Sequence, residues 1–181
     1  AYAGRQLNIP VTVVVPETTK KRAIDLIRAE HAKVIITGNN WDEAHQHALS
    51  LVSDKVAYIH PFDDPRIWHG HASLVDEIAE SSLKPDVIVL SVGGGGLLCG
   101  VVQGLQNHRW EVPMLAVETE GADSFNACVT SGCHVAIDSI NSIATSLGAK
   151  KVAKQAFEIS TNQQVFSHIV TDQQAISSCW R

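Results

Sequence analysis

Five short runs of β-branched and aliphatic residues punctuate the chain. They are Val11-Thr12-Val13-Val14-Val15, Val34-Ile35-Ile36, Val56-Ala57-Tyr58-Ile59, Val87-Ile88-Val89-Leu90 and Met114-Leu115-Ala116-Val117. Each is nearly continuous rather than alternating, the pattern of strands covered on both faces of a parallel sheet. Between the runs the period becomes helical. Ile24 and Ile27 mark one face of the first helical segment, and Asn40 with Glu43 forms a capping box opening the second. Leu74, Val75, Ile78 and Ala79 line a third; Leu97, Leu98, Val101, Val102 and Leu105 line a fourth. Alternating strands and helices of this length predict an α/β fold with right-handed crossovers.

Two Pro and two Asp in Pro61-Phe62-Asp63-Asp64-Pro65 break the pattern just after a predicted strand, as a domain crossing does. The sequence therefore predicts two parts, residues 1–62 and 63–181. Ala1 to Leu7 already reads as helix, and Thr171-Asp172-Gln173-Gln174-Ala175-Ile176 reads as a helix start about two turns before Arg181. Both ends predict a piece of a longer chain, incomplete at either side.

With 181 residues, 45% of them hydrophobic and 18% charged, the chain can build a sizeable core, which excludes disorder and collagen-like repeats. No apolar run approaches the ~20 residues of a bilayer span. The formal net charge of −5 argues against nucleic-acid and anionic-membrane partners. The one basic cluster, Lys20-Lys21-Arg22, reads as a solvated helix face. Cys99, Cys128, Cys133 and Cys179 form no C-x-x-C and no zinc spacing, so they read as reduced cytosolic thiols. His45/His47 and His69/His71 are paired at i, i+2, about 200° apart on a helix, and cannot face one ion there.

The segment richest in chemistry is Val87-Ile88-Val89-Leu90-Ser91-Val92-Gly93-Gly94-Gly95-Gly96, which leads straight into an apolar helix from Leu97. Four consecutive glycines beside a core strand cost backbone entropy and require a reason. Glycines reach positive φ and let a ligand touch the backbone. Their N–H groups gather at a helix N-terminus, where the dipole adds partial positive charge. That is a phosphate site, at the carboxyl end of a strand where open α/β sheets take ligands. A tight turn that binds nothing needs only one or two glycines. The P-loop reading fails because no Lys follows Gly100. The dinucleotide fingerprint G-x-G-x-x-G is also absent. Glu118, ending the next strand, nevertheless sits where an acidic ribose ligand belongs, so an NAD-dependent oxidoreductase domain stays open as an alternative. So does a truncated, non-catalytic ligand-binding module.

The stretch from Ser91 to Gly104, Ser91-Val92-Gly93-Gly94-Gly95-Gly96-Leu97-Leu98-Cys99-Gly100-Val101-Val102-Gln103-Gly104, closely resembles the phosphate loop of the L-serine dehydratase (serine/threonine ammonia-lyase) family, fold-type II pyridoxal-phosphate enzymes. Other strings resemble the same family in order: Ala1-Tyr2-Ala3 with Arg5-Gln6-Leu7; Pro61-Phe62-Asp63-Asp64-Pro65 with Ile67-Trp68 and Gly70-His71-Ala72-Ser73; Glu118-Thr119 with Gly121-Ala122 and Ser124-Phe125; and Ser146-Leu147-Gly148. The resemblance implies the tryptophan synthase beta-like fold, with parallel sheets carrying helices on both faces. Residues 1–62 would belong to its small βα domain and 63–181 to its large cofactor-binding domain.

It further implies that the amides of Gly93, Gly94, Gly95, Gly96 and Leu97 hold the phosphate of pyridoxal 5'-phosphate. Phe62 matches an aromatic beside the substrate pocket, against a plain core-packing reading. Glu118, Ala122, Ser124, Leu147 and Ala149 match positions that ligate a monovalent cation (K+), mostly through carbonyl oxygens. Glu118 as a strand-end acid and Ser124 as an N-cap are the competing readings. The implied activity is deamination of L-serine to pyruvate, or of L-threonine to 2-oxobutyrate, by α,β-elimination, in a cytoplasmic homodimer. The family's Schiff-base Lys sits in a Ser-Phe-Lys context that does not occur here, so no catalytic residue is assigned in this chain.

Overall fold

The computed structural model describes residues 1–145, 147–161 and 164–180; Ser146 and Arg181, both named above, lie outside the described residues. The chain divides into two units, Ala1–Ile59 and His60–Arg181.

The first unit begins with α1 (Tyr2–Gln6), followed by β1 (Thr12–Val15), α2 (Lys21–Ala29), β2 (Lys33–Ile36) and α3 (Trp41–Ser50). β1 and β2 pair in parallel, from Thr12 with Lys33 to Val15 with Ile36. The periodicity of α2 resolves as expected, with Ile24 buried beneath a solvated face that carries Lys21 and Arg22. Asn40 caps α3: its Oδ1 accepts from the Glu43 amide at 3.0 Å. The return half of the box differs from expectation. The Glu43 carboxylate accepts from the Asn39 amide (2.8 Å) and from Asn40 Nδ2 (2.8 Å) rather than from the Asn40 amide. A second correction concerns Val56-Ala57-Tyr58-Ile59, which is no strand. Val56 makes only an isolated antiparallel bridge to Ser53, and Ile59 is 69% exposed. An apolar run becomes a strand only where a neighbour offers it a ladder.

The second unit runs α4 (Pro65–Glu80), β3 (Ile88–Ser91), α5 (Gly96–Asn107), β4 (Met114–Thr119), α6 (Ser124–Ser131), α7 (Lys154–Ser160), β5 (Val165–Val170) and α8 (Asp172–Cys179). The sheet is parallel in the order β3-β4-β5. β5 was not anticipated, because Ser167 and His168 interrupt its apolar run. Asp64 caps α4 by accepting from the Arg66 amide at 2.8 Å, with Pro65 at the first helical position. The hydrogen bond and charge of the Arg66 side chain hold the Asp64 carboxyl down to about 2.

Residues paired across parallel strands share a sheet face. Ile88, Met114 and Val165 form one row on the core side, and Leu90 with Ala116 continues it. Val89, Leu115 and Phe166 form a row on the other face, where Val89 and Phe166 are both more than half exposed. Cover on the second face is therefore incomplete within these residues. The core row packs with Leu98, Val101, Val102 and Leu105 of α5 and with Phe125 and Cys128 of α6. α4 packs closely on α5 because Gly100 and Gly104 lack side chains. A Cβ at Gly104 would come within 2.7 Å of Val75, and one at Gly100 within 2.6 Å of the Trp68 carbonyl. Leu74, expected on the apolar face of α4, is exposed, while Val75 beside it is fully buried.

Candidate functional site

β3 ends at Ser91, and the four glycines bridge its carboxyl end to the first turn of α5. Gly95 is the N-cap and takes the left-handed conformation, φ 86°. A side chain there would be strained, and its Cβ would also lie 2.5 Å from the Ala156 Cβ. The neighbouring glycines are equally hemmed in. A Cβ at Gly93 would overlap the Leu147 carbonyl oxygen. One at Gly94 would overlap the Phe62 ring, and one at Gly96 would stand 2.9 Å from the Phe62 carbonyl oxygen. The Gly94 carbonyl accepts from the Ala153 amide at 2.9 Å.

Among the described residues, the amides of Gly93, Gly94, Gly95, Gly96 and Leu97 have no protein acceptor. Gly93, Gly95 and Gly96 are buried, and Gly94 and Leu97 half-buried. Buried N–H groups without acceptors are costly, and this run lies at the positive end of a twelve-residue helix. Successive N–H donors without acceptors at a helix N-terminus are a donor set that fits a phosphate group.

Phe62 borders this loop. Its amide donates to His60 Nδ1 at 3.2 Å, its carbonyl accepts from Trp68 Nε1 at 2.7 Å, and its ring meets His60 edge-on at 4.6 Å. It is half-buried and also packs on the core cluster. Cys99 follows in the first turn of α5. Its position favours a thiolate, yet burial, with Asp63 adding a smaller effect, pushes the thiol up to about 12. It is a core residue rather than a nucleophile.

At the end of β4, Glu118 is 1% exposed and shares the core face. Its Oε1 accepts from the Phe125 amide (2.8 Å) and its Oε2 from the Asn126 amide (2.7 Å). It thus caps α6 from across the β4–α6 turn. Burial pushes its carboxyl up to about 7 against the lowering pull of those two amides. Ser124 opens α6 as its first helical residue, with Asp123 as the N-cap, so Ser124 does not cap. Its Oγ is buried and has no partner among the described residues. A buried hydroxyl in that state invites an ion or water. Ala122 is buried alongside, and its Cβ would lie 3.3 Å from a Cβ on Gly148. The segment of Leu147 and Gly148 thereby touches both the Gly93 and Ala122 surroundings. Ala149 follows it, half-buried. Among the described residues no cluster of three or more His, Cys, Asp or Glu is placed to hold a metal, so a cation here would rest on hydroxyl, carbonyl and single-carboxylate oxygens.

Sequence reasoning missed one polar connection. Thr119, Ser142 and Asp172 are joined by hydrogen bonds although 23 and 30 residues separate consecutive members. No spacing signals it; only the fold brings these positions together.

The whole chain, residues 1–181, matches the family model described as pyridoxal-phosphate dependent enzyme. It is 48% identical over 182 residues to an L-serine dehydratase/L-threonine deaminase of Homo sapiens, covering 98% of this chain and 56% of that protein. It is 39% identical over 190 residues to an L-serine dehydratase of Dictyostelium discoideum, covering 99% and 54%. A fungal L-serine ammonia-lyase from Rhizomucor miehei superposes with a TM-score of 0.85 at 39% identity, covering 97% of this chain and 57% of that one. The chain spans about half the length of the curated relatives it matches.

Proposed function

The chain belongs to the family of pyridoxal-phosphate dependent enzymes, and on that premise we propose that it is the phosphate-anchoring part of an L-serine (L-threonine) ammonia-lyase. The observation that carries this reading is the run of five acceptor-free amides from Gly93 to Leu97 at the N-terminus of α5. Pyridoxal phosphate bound there supplies an electron sink for the negative charge left when an amino acid loses its α-proton. The net reaction removes that proton and the β-hydroxyl, and hydrolysis then releases ammonia and pyruvate, or 2-oxobutyrate from threonine.

This chain's own residues bind and orient. The loop amides donate to the phosphate oxygens, and the α5 dipole offsets their charge. Phe62, Leu147 and Ala156 fix the loop backbone from the sides on which a Cβ would otherwise point. An anchor that lets the cofactor drift by about 1 Å costs on the order of 10²-fold in rate. Phe62 also borders the amino-acid pocket in this reading. A monovalent cation such as K+ sits among Glu118, Ala122, Ser124, Leu147 and Ala149. The unpartnered Ser124 Oγ supports it. Each Glu118 oxygen keeps a second lone pair beside its amide bond, so capping α6 and touching a cation are compatible.

The nicotinamide alternative loses its chief support. Glu118 is 1% exposed, which leaves its carboxylate no open face for a ribose. The intact protein is expected to be a cytoplasmic homodimer. No described helix is long and apolar enough to cross a membrane. The test is to express the full-length protein with pyridoxal phosphate and assay L-serine and L-threonine for ammonia and 2-oxo acid. Cofactor-dependent release of both supports the assignment. Bound cofactor without turnover leaves the non-catalytic binding module, and tight nicotinamide binding restores the oxidoreductase.

A further inference from the structure

The segment that carries Leu147 has little apolar anchorage of its own, since Ile143 and Leu147 are both exposed. Hydrogen bonds hold it instead. Ser142 Oγ donates to Asp172 Oδ1 at 2.7 Å. Its single hydrogen is thereby committed, so Thr119 Oγ1, 2.8 Å away at the end of β4, must be the donor in that contact. The Ala144 amide donates to the remaining Ser142 lone pair at 3.0 Å. The other Asp172 oxygen accepts from the Ile143 amide at 3.0 Å. Every donor and acceptor site of Ser142 Oγ is used, and the chain Thr119 to Ser142 to Asp172 has one direction.

The bonds lead on to the phosphate loop. The Ala144 carbonyl accepts from the Leu147 and Gly148 amides at 3.1 and 2.9 Å. The Leu147 carbonyl then lies where a Gly93 side chain would be. Asn141 closes the other end, its amide donating to the Gly121 carbonyl at 2.8 Å. We propose that Asp172 is a positioning residue: through Ser142 and the Ile143 amide it sets the turn at Asn141–Ala144, whose Ala144 carbonyl holds the Leu147 amide, which seats the Leu147 carbonyl against Gly93 and so fixes the first amide of the phosphate loop. The proposal rests on the phosphate-loop reading above. It adds a residue outside every string that carries the family resemblance and a polar route from α8 to the phosphate loop.

The experiment compares Asp172→Ala, Asp172→Asn and Ser142→Ala in the full-length protein. Dissociation constants are measured for pyridoxal phosphate and for pyridoxal, which lacks the phosphate, together with Tm. Asp172→Ala weakens pyridoxal phosphate by about tenfold or more, with pyridoxal changed by less than about twofold. Asp172→Asn recovers only part of the loss, because its carbonyl oxygen keeps one acceptor while its NH2 group meets the other donor. Ser142→Ala combined with Asp172→Ala costs little beyond Asp172→Ala alone, since the Ser142 contact lies on the route that Asp172→Ala already cuts. A lower Tm with an unchanged pyridoxal-phosphate constant makes Asp172 only a stabiliser of α8 and overturns the proposal. Equal weakening of both ligands overturns it too. If Asp172→Ala does not fold, Ser142→Ala, which keeps the charge, is read by the same two constants. Gly94→Val separates the premises. If it leaves pyridoxal-phosphate binding intact, the phosphate-loop reading fails; if it abolishes binding while the Asp172 and Ser142 variants bind pyridoxal phosphate with wild-type affinity, only the positioning role fails.

Discussion

Replacing one Gly94 hydrogen by a methyl group places a carbon within the Phe62 ring, overlapping Cγ and both Cδ atoms. One side must move by about 1 Å or more to restore van der Waals separation. Phe62 is held by its hydrogen bonds to His60 and Trp68, and the Gly94 carbonyl by the Ala153 amide. A shift of that size takes one or two loop amides out of hydrogen-bond range of the phosphate. A hydrogen bond to a charged group contributes about 1.5–3 kcal/mol, so losing one or two costs about 1.5–6 kcal/mol, or roughly 10- to 10⁴-fold in affinity. Gly94→Val adds further volume and abolishes cofactor retention. The assay titrates pyridoxal phosphate into the full-length variant and follows visible absorbance and tryptophan fluorescence. Far-UV circular dichroism confirms folding. Phe62→Ala removes the overlapped atoms, so the double variant recovers most of the affinity lost by Gly94→Ala. A Gly94→Ala protein that binds with wild-type affinity, or a double variant no better than the single, refutes the reasoning.

Further outcomes follow from burial. Burial raises the Glu118 carboxyl from 4.5 to about 7. Its protonated form is favoured by folding, so the stability it contributes is complete below about 4.5 and is lost as pH rises through about 7. In buffer containing only large organic cations, up to roughly 3 kcal/mol disappears across that window. Glu118→Gln flattens the slope, and a variant with the wild-type slope would assign the effect elsewhere. Cys133 and Cys179 are exposed whereas Cys99 and Cys128 are buried with raised thiols, so a disulfide reagent at pH 8 titrates two of the chain's four thiols before denaturation and all four after. Rapid reaction of Cys99 in the folded protein contradicts its place in the core. Phe125→Ala removes a fully buried ring and lowers unfolding free energy by about 3–5 kcal/mol in urea titrations; a loss under about 1 kcal/mol means the α6 contact is not part of the core.

The strands β1 to β4 and their helices were legible because apolar periodicity reports cover, and here cover follows the chain order. Val56-Ala57-Tyr58-Ile59 carried the same local signal and failed, since strand formation depends on a neighbour that composition does not encode. β5 failed in the opposite sense. His168 is exposed on the less covered face, so polarity was tolerated there and hid the strand. The glycine loop was legible as a turn from a strand into a helix whose backbone stays open, but only half of the reason for its glycines was. Ligand approach explains an open backbone. The structure adds that the Cβ directions of Gly93, Gly94, Gly95 and Gly96 face Leu147, Phe62, Ala156 and the Phe62 backbone. Glu118 was legible as important but ambiguous in role, because its capping of α6 depends on how the β4–α6 turn folds back.

A backbone anchor changes where sensitivity to substitution should lie. The chain carries a net charge of −5, yet in the proposed site a phosphate dianion needs no basic side chain, because backbone amides meet it at a helix end that carries about half a positive charge. Removing any single Lys or Arg therefore leaves the donors in place. What displaces them is a change in the surfaces that press on the loop from outside. Phe62 presses on Gly94 and Gly96, Leu147 on Gly93 and Ala156 on Gly95, while the Ala153 amide holds the Gly94 carbonyl. None of these residues is charged, and none lies within 25 residues of the glycines. The glycine run fixes only that the backbone can come close. Its position is set by these distant contacts, and Asp172 enters the same account through the turn that presents Leu147.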